Sequence, residues 1–424
     1  MAGSILASLV EYRRDVREFW NGAGARLLPW YFATACGRVA PRYVIACLVV
    51  PEHDMPIRHL RDIELSELWR IVEAGLQEHA KLCAEAYTES AGLGKILDLA
   101  FSYASASVNG ARGATLLDYL IELARRLANV DGKCMLCARE CRRTGREGVG
   151  ACNIPLRLQV DVEHLPIAVM HVHASEEAPL VPSTALYLPS CNMRCIYCQN
   201  WDTAHYGLDR AFRYGIADLP SRMRHMLRMS RCLKYLGGEP ALWLPQVLAL
   251  MRVLVLKRIA IPQVIDTNLL VKPQVAKIIA HMFDLVVPDY KYGSNKCAQE
   301  LSIVPPSLDY VVLIYSNIRT LLEEGANVLV RHLAIPHHVQ CCSLEVIRRI
   351  AKLRDYAKTS RFSYTSLVFN LLDQYRPDYL VKQLDKYRKY RKRVSKEEIE
   401  TCVKLCKELG IDLPFARLQV LKQV

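Results

Sequence analysis

The stretch TALYLPSCNMRCIYCQN (residues 184–200) carries the most informative pattern in the chain. A short β-rich run is followed at once by Cys191, Cys195 and Cys198, in the spacing C-x3-C-x2-C. Three thiolates this close in sequence can ligate three irons of a 4Fe–4S cluster, which normally takes four cysteines. The fourth iron then keeps an open position, and open positions are where metals do chemistry. A zinc site or a group of free thiols is the alternative, but zinc sites usually pair two C-x2-C knuckles.

Further β-rich runs follow at regular intervals. The six runs are Thr184–Leu188, Cys232–Leu236, Gln263–Asn268, Asp284–Lys291, Asn327–Pro336 and Ser363–Asn370. Between them lie stretches such as 245–260 and 272–283, in which apolar residues recur every three to four positions, as in helices. Strands that alternate with crossover helices predict an α/β fold with a parallel β/α barrel, complete or partial. In such barrels the functional site collects at the carboxyl ends of the strands.

Length and pattern predict three regions. The chain has 424 residues, of which 51% are hydrophobic and 23% charged, as in ordinary globular proteins with more than one domain. Residues 1–125 show helical periodicity and predict a helical N-terminal extension. Residues 126–180 form a cysteine-rich segment, and residues 181–424 hold the barrel with C-terminal helices. We assign no function to the N-terminal extension from its sequence.

Composition also bears on location and partners. The N-terminus shows no pattern of a secretory signal, and no apolar run is long enough to cross a bilayer. We therefore expect a cytoplasmic protein without membrane contact, whose 16 cysteines are reduced or bound to metal. The net charge is +13, with a basic run KYRKYRKR at Lys386–Arg393. This run is either a nucleic-acid patch or a solvated face that packs its two tyrosines, and we favour the second interpretation.

Polar motifs stand at the ends of four of the runs. Gly237-Gly238-Glu239-Pro240 ends the second run, and its glycines allow a backbone to approach a ligand closely. The third, fourth and fifth runs end in Asp266-Thr267-Asn268, Asp289-Tyr290-Lys291 and Arg331-His332. Taken alone, GGEP could be a plain turn, and each of the other three motifs is better explained as a strand-end cap or an ion pair. Together, at one end of a barrel, they predict a ligand site.

The cysteine triplet and the GGEP motif resemble those of the radical S-adenosylmethionine enzymes. The resemblance implies that S-adenosylmethionine occupies the open iron, that Tyr197 packs near its adenine, and that Gly237, Gly238 and Glu239 bind its amino group. The later motifs resemble the D-T-N, D-x-K and R-x4-P elements of pyruvate formate-lyase activating enzymes. That resemblance adds the cofactor-binding residues Asp266, Asn268, Asp289, Lys291 and Arg331. In it, Lys291 pairs with the carboxylate of S-adenosylmethionine, and Asp289 fixes this lysine or binds a substrate amide.

Further runs narrow the resemblance to a less-studied branch of the activating-enzyme relatives, over about Leu117 to Leu413. These runs are the upstream cysteines, His173-x-x-Glu176-Glu177, Pro288-Asp289-Tyr290-Lys291-Tyr292 and Gln374-Tyr375-Arg376-Pro377. The branch implies no substrate. His173 either contacts substrate or cluster, or is a hydrogen-bonded histidine beside the first strand. One departure is that many activating enzymes continue P-G after the fifth strand, whereas this chain has Pro336-His337-His338.

A second group of cysteines precedes the barrel. Its members are Cys134, Cys137, Cys141 and Cys152. Four thiolates in a glycine-containing loop suit either structural zinc or a second, fully ligated Fe–S cluster. Such a closed site is structural or relays electrons. Among the remaining cysteines, Cys402 and Cys406 are predicted to pack from a helix that begins at a Ser395–Glu398 capping box. Cys297 has no partner pattern, and the vicinal pair Cys341-Cys342 could be redox-active, a role that vicinal cysteines seldom have.

The sequence therefore predicts an enzyme that reductively cleaves S-adenosylmethionine at a 4Fe–4S cluster and uses the 5′-deoxyadenosyl radical to abstract hydrogen. One interpretation of its substrate is a glycyl-radical enzyme that it activates, and the other is a small molecule or another macromolecule. An electron donor of the flavodoxin or ferredoxin type is expected, with a protein substrate in the first interpretation. The alternative of another class is a nucleic-acid-binding protein with metal knuckles.

Overall fold

The structure is a computed structural model that describes residues 23–52, 55–88, 92–143, 148–167, 169–174, 181–415 and 418. The part before the sheet is helical, as its apolar spacing predicts. Its helices are α1 Ala23–Leu27, α2 Pro29–Ala35, α3 Arg42–Ile45, α4 Leu65–Thr88, α5 Leu93–Val108, α6 Leu116–Leu127 and α7 Leu156–Gln159. Helix α6 begins at a capping box, in which Thr115 and Asp118 satisfy each other's backbone N–H groups.

Within the described residues, nine strands follow in two sheets. They are β1 His164–Ile167, β2 Val169–Ala174, β3 Pro182–Leu188, β4 Phe212–Gly215, β5 Cys232–Gly237, β6 Gln263–Thr267, β7 Leu285–Pro288, β8 Asn327–Leu333 and β9 Ser366–Leu372. The large sheet has the order β2-β3-β5-β6-β7-β8-β9. Strand β3 and strands β5 to β9 are parallel in it. Strands β1 and β4 form a separate antiparallel pair, and β2 joins the edge of the large sheet antiparallel to β3. The sequence did not predict these antiparallel strands.

Helices connect and flank the parallel strands. They are α8 Gly207–Arg210, α9 Leu219–Arg222, α10 Arg224–Met229, α11 Leu244–Leu256, α12 Pro273–Met282, α13 Asn295–Ser302, α14 Tyr310–Glu323, α15 Leu344–Ala357, α16 Leu380–Gln383 and α17 Lys396–Glu408. Six parallel strands with crossover helices form a partial β/α barrel, so the predicted fold class is confirmed. The Ser395–Glu398 capping box is present at α17, and Cys402 and Cys406 are buried as predicted. No helix among the described residues is long and apolar enough to span a membrane.

The predicted fourth strand is shorter than its β-rich run. It ends at Pro288 instead of Lys291. Pro288 has no N–H to give to a ladder, and beyond it the backbone stays tied to its neighbours by single bonds, from the Asp289 N–H to the Thr267 carbonyl at 2.8 Å and from the Tyr290 N–H to the Arg331 carbonyl at 2.9 Å. The residues from Asp289 to Lys291 therefore leave the strand at the end of the sheet where the polar motifs collect.

The N-terminal helices cover the opposite end of the sheet. Leu28, Tyr31 and Phe32 pack among apolar side chains near the beginnings of the strands, including Val264 and Leu285. This contact supplies a structural role for the extension, which the sequence left unassigned: it closes the amino end of the partial barrel.

A buried polar cluster fixes this closure. Asp284, just before β7, accepts hydrogen bonds from Trp30 Nε1 at 2.8 Å, from the Arg42 backbone at 3.0 Å and from the Gln263 backbone at 2.8 Å. The Arg42 guanidinium stacks 4.5 Å from the Trp30 ring and donates to the Gly325 carbonyl. Because the main hydrophobic core includes residues from all three predicted regions, the boundaries at 125 and 180 stay a prediction.

Candidate metal and cofactor site

Residues 189–200 follow β3 and hold Cys191, Cys195 and Cys198, and this segment is called the cysteine loop. Cys191 and Cys195 are buried. The Cys191 sulfur accepts the Met193 N–H at 3.4 Å and Asn268 Nδ2 at 3.5 Å. The Cys195 sulfur accepts the Ser302 hydroxyl at 2.8 Å. Hydrogen bonds to sulfur favour the charged thiolate, which is the form that binds metal.

Burial acts in the opposite direction in the metal-free chain. It raises the pKa of Cys191 well above that of an ordinary thiol. It also raises the pKa of Cys198 to about 12, against the opposing charge of Lys291. A bound cationic centre would supply the charge that makes these thiolates stable, so the donor set fits a metal or cluster.

The loop is held from outside by the cysteine-rich segment. Arg139 Nε donates to the Asn192 carbonyl at 2.6 Å, and Arg194 Nη2 donates to the Ala151 carbonyl at 3.0 Å. The Asn192 side chain accepts Asn268 Nδ2 at 2.8 Å. The two predicted cysteine groups therefore lie in segments that contact each other directly.

The GGEP turn packs against the start of the same loop. Gly237 has φ +111, and a Cβ on it would lie 2.7 Å from the Leu188 carbonyl oxygen. A Cβ on Gly238 would lie 1.9 Å from the Ser190 carbonyl oxygen. Only glycines allow this approach, so the pair is needed for the turn to reach the cysteine loop.

Glu239 has a different surrounding from the one that its motif implies. It is fully buried, and its carboxylate accepts hydrogen bonds from Thr267 Oγ1 at 2.7 Å, the Asn268 backbone at 2.7 Å and the Ala241 backbone at 3.0 Å. Burial raises its pKa to about 7 despite these donors. Both carboxylate oxygens are engaged with the protein, so the side chain ties the ends of β5 and β6 together.

A chain of alternating charges crosses the sheet near its carboxyl end. Lys234 and Arg331 both pair with Asp266 Oδ2, at 3.1 and 2.9 Å. Arg331 and Lys291 both pair with Asp289, at 2.9 and 2.7 Å. The structure thus brings together the predicted residues of β6, β7 and β8. Lys234 is the third residue of β5. The sequence did not predict it as a site residue, because a single charge in an apolar run does not by itself indicate a ligand site.

The network has one unused acceptor. Among the described residues, Asp266 Oδ1 is buried without a hydrogen-bond partner. Burial opposes ionisation of Asp289, but Arg331 and Lys291 outweigh it and hold the pKa of Asp289 well below its usual range. The same pairing raises the pKa of Lys291 although burial opposes its charge. Asp289 and Lys291 are therefore both charged at neutral pH.

Tyr197, within the cysteine loop, contacts two other tyrosines. Its hydroxyl hydrogen-bonds that of Tyr292 at 2.6 Å, and its ring lies 5.8 Å from the Tyr375 ring. Gln199 Nε2 donates to the Gln374 carbonyl at 3.2 Å. The Gln374–Pro377 motif thus supports the loop, a role that its sequence alone did not indicate.

The upstream cysteines surround a tight turn. The Ala151 N–H donates to Cys141 Sγ at 3.4 Å, and a Cβ on Gly150 would lie 2.9 Å from the Cys141 Cβ. Burial raises the pKa of Cys134 and Cys152, and hydrogen bonds from backbone N–H groups act to lower it. Within the described ranges, no three of these four sulfurs lie within 4.8 Å of one another, and the same holds for the triplet.

The residue that follows Pro336 is in a conformation that glycine favours. His337 has φ +65, the left-handed region that a glycine adopts readily. Its N–H donates to Glu398 Oε1 at 2.9 Å, which helps to hold the strained residue in place.

Two other predictions are placed only in part. His173 lies in strand β2, where the backbone alone is described, and Glu176 and Glu177 lie outside the described residues. In the basic run, Tyr390 is buried and Lys389 pairs with Glu300 at 3.0 Å. This arrangement agrees with a packed face.

Comparison with known proteins gives limited similarity. No protein-family model matches the chain. An uncharacterized protein of Methanocaldococcus jannaschii, MJ0674, is 28% identical over 305 residues, which cover 71% of this chain and 81% of that protein.

Several solved structures match part of the chain. Streptococcus suis SuiB bound to its precursor peptide SuiA matches with a TM-score of 0.37 and 17% identity over 53% of this chain, and less than half, 46%, of SuiB is covered. A radical SAM methyltransferase from Sphaerobacter thermophilus matches with a TM-score of 0.39 and 15% identity, over 56% of this chain and 66% of that one. QueE from Escherichia coli matches with a TM-score of 0.34 and 16% identity, over 60% of this chain and 95% of its own. Likeness of this degree says nothing about activity.

Proposed function

We propose that the chain is a radical S-adenosylmethionine enzyme whose 4Fe–4S cluster is held by Cys191, Cys195 and Cys198. The observation that carries this proposal is the loop after β3: the sulfurs of Cys191 and Cys195 accept hydrogen bonds from two other elements, beside a network of ion pairs at the strand ends. When bound, the cluster would supply the electron for reductive cleavage of S-adenosylmethionine, and so the 5′-deoxyadenosyl radical for hydrogen abstraction from the substrate.

The network of ion pairs has charged groups suited to the amino and carboxylate groups of an amino acid. Lys291 and Arg331 bring cationic groups, and the unpartnered Asp266 Oδ1 is an acceptor for an ammonium or a hydroxyl. A buried acceptor without a partner is costly unless a ligand satisfies it. These residues therefore orient the methionine and ribose parts in our proposal, with Asp289 fixing Lys291.

The GGEP turn acts through its shape. The Glu239 carboxylate is fully engaged with Thr267, Asn268 and Ala241. We therefore assign Glu239 a positioning role, in which it fixes Asn268 against Cys191, and we leave direct contact with the cofactor to the backbone of Gly237 and Gly238.

The upstream cysteine group is better suited to a second Fe–S cluster than to zinc. Sulfurs around one tetrahedral zinc, with bonds of about 2.3 Å, lie about 3.8 Å apart. No three of the sulfurs of Cys134, Cys137, Cys141 and Cys152 are this close among the described residues. Because Arg139, between two of these cysteines, contacts the cysteine loop, the second cluster would lie beside the first and relay electrons to it.

The test is cofactor cleavage by anaerobically reconstituted protein. We expect the wild type to release 5′-deoxyadenosine from S-adenosylmethionine when reduced, and to show the spectrum of a 4Fe–4S cluster. Cys195→Ala together with Cys198→Ala should abolish the cleavage, because two of the three cysteine-bound irons lose their protein ligands. Cys36→Ala, a half-buried cysteine of the N-terminal region, is the matched control and should cleave like the wild type.

Retained cleavage in the double variant would refute the cluster assignment. A wild type that holds iron but cleaves nothing, and instead binds nucleic acid, would favour the binding-protein alternative.

The finer assignment is an activase that installs a glycyl radical on a partner enzyme. It is supported by the order of the strand-end motifs, and the competing substrate is a small molecule. Incubation with a candidate glycyl-radical enzyme should produce an organic radical signal on the partner. Formation of 5′-deoxyadenosine only with a small molecule would favour the second interpretation. A flavodoxin- or ferredoxin-type donor and a cytoplasmic location belong to the same proposal.

A further inference from the structure

A third group of metal-ligand side chains lies outside the site described above. It consists of Cys297, His338, Cys341 and Cys342, and its four ligand atoms all lie within 4.8 Å of one another. Among the described residues it is the one group of histidine, cysteine or acidic side chains as compact as this. The sequence gave Cys297 no partner pattern and did not predict that it lies beside Cys341 and Cys342.

Local structure explains how the group forms. His338, Cys341 and Cys342 stand at i, i+3 and i+4, which is one face of a helix. Their turn, Val339–Ser343, is a π-helix in which the Ser343 N–H reaches the His338 carbonyl at 3.3 Å. Such widened turns are frequent at functional sites. Cys297, in the first turn of α13, meets this face from the neighbouring strand connection.

The distances fit one tetrahedral ion. His338 Nδ1 lies 3.2 Å from the Cys297 sulfur and 3.5 Å from the Cys341 sulfur, and the two sulfurs are 3.5 Å apart. Ligands of tetrahedral zinc, with Zn–S of about 2.3 Å and Zn–N of about 2.0 Å, are about 3.5–3.8 Å from one another. These three ligand atoms need shifts of only a few tenths of an ångström to enclose the ion, and the Cys342 sulfur lies within 4.8 Å of each of them.

The outer contacts of the histidine are also those of a metal ligand. His338 Nε2 lies 2.9 Å from the Tyr390 hydroxyl, which donates to Glu300 Oε1 at 2.6 Å. A histidine that ligates through Nδ1 carries its proton on Nε2, and a hydrogen bond there fixes the ring. Glu300 follows Cys297 by one helical turn, so α13 supplies both a ligand and the support for another ligand.

We propose that Cys297, His338, Cys341 and Cys342 bind a single zinc ion. Three thiolates and one imidazole are a ligand set that zinc uses in closed structural sites. Cys297, His338 and Cys342 are buried, and Cys341 is the exposed ligand. The ion would join the connections that follow β7 and β8, at the same end of the sheet as the cysteine loop.

The primary experiment compares zinc and iron per chain in the full-length protein purified anaerobically. Cys297→Ser is expected to contain one zinc equivalent less than the wild type, with the same iron content. Cys406→Ala removes a buried cysteine from a neighbouring helix outside the group and should match the wild type in both metals.

Two further variants keep the test valid if Cys297→Ser folds poorly. Cys341→Ser changes an exposed side chain, so it should fold normally and still release zinc more readily to a competing chelator. Tyr390→Phe removes the support of His338 and should weaken zinc binding by about tenfold or more.

Equal zinc content in the wild type, Cys297→Ser and Cys341→Ser would overturn the proposal. So would the loss of one equivalent of iron instead of zinc, or a disulfide between Cys297 and Cys341 in peptides from the anaerobic, reduced protein.

Discussion

Replacement of Glu239 separates a structural role of the GGEP motif from cofactor binding. In Glu239→Ala the backbone N–H groups of Ala241 and Asn268 lose their acceptor in a fully buried place. Each unsatisfied buried donor costs about 1–3 kcal/mol, so the two together lower the free energy of unfolding by about 2–6 kcal/mol. The Thr267 hydroxyl can rotate toward another acceptor, and we count no cost for it.

The measurement is denaturant-induced unfolding of the metal-free chain at neutral pH. Glu140→Ala is the matched control, because Glu140 pairs with Lys272 at 2.6 Å but is 39% exposed. Loss of such a surface pair costs less than about 1 kcal/mol. S-Adenosylmethionine affinity of each variant is then measured by calorimetry on the cluster-loaded form.

The pH dependence of the unfolding free energy provides a second readout. Burial raises the pKa of Glu239 from 4.5 to about 7, so between these values the folded chain binds more protons than the unfolded chain. The contribution of the protonated carboxyl to stability is therefore complete below about pH 4.5 and is lost as the pH rises through 7. A shift of this size corresponds to about 3 kcal/mol, which Glu239→Gln should remove from the pH profile.

Two results would refute this reasoning. One is a Glu239→Ala variant with the unfolding midpoint of the wild type and S-adenosylmethionine affinity lowered tenfold, because the carboxylate would then be a ligand. The other is a Glu239→Gln variant whose stability falls between pH 5 and 8 as steeply as that of the wild type.

Two other substitutions test the segments around the site. Cys152→Ala should remove iron from the upstream group and lower the unfolding temperature, while the electron paramagnetic resonance signal of the triplet cluster persists; loss of that signal together with the upstream iron would contradict independent sites. Arg42→Met keeps the apolar stem but removes the donor to the Gly325 carbonyl, so we expect a loss of about 1–3 kcal/mol of stability by thermal unfolding. Because Arg42 lies at the amino end of the sheet, its S-adenosylmethionine affinity should stay that of the wild type, and an affinity loss without a stability loss would contradict this placement.

The sequence predicted those features that depend on local pattern. The six parallel strands follow from β-rich runs between helical stretches, and the motifs at their ends fall at one end of the sheet because parallel strands share their direction. The surroundings of Glu239 could not be predicted, because its donors Thr267 and Asn268 come from the next strand.

Tertiary contact also decided the group around Cys297. His338, Cys341 and Cys342 have a helical spacing that sequence inspection can find, but the vicinal pair Cys341-Cys342 was weighed only for a redox role. The fourth ligand comes from another helix, and one cysteine with no partner in its own segment gives no signal. The closure of the amino end of the sheet by α2 could not be predicted for the same reason. The apolar face of α2 does not indicate which strands it packs against.

The cluster loop and the zinc group are joined by α13, and the two ends of this helix are held differently. Cys297 lies in its first turn and Ser302 at its end, five residues later, which is about 7.5 Å along a helix axis. At the far end, Ser302 donates to Cys195, while the Leu301 and Ser302 carbonyls accept the backbone N–H groups of Ile196 and Arg194 at 2.9 and 3.1 Å. These backbone bonds do not involve the zinc ligands. Loss of zinc should therefore loosen the first turn of α13 and leave the cysteine loop in place, so that zinc supports the barrel wall beside the cluster without being part of the chemistry.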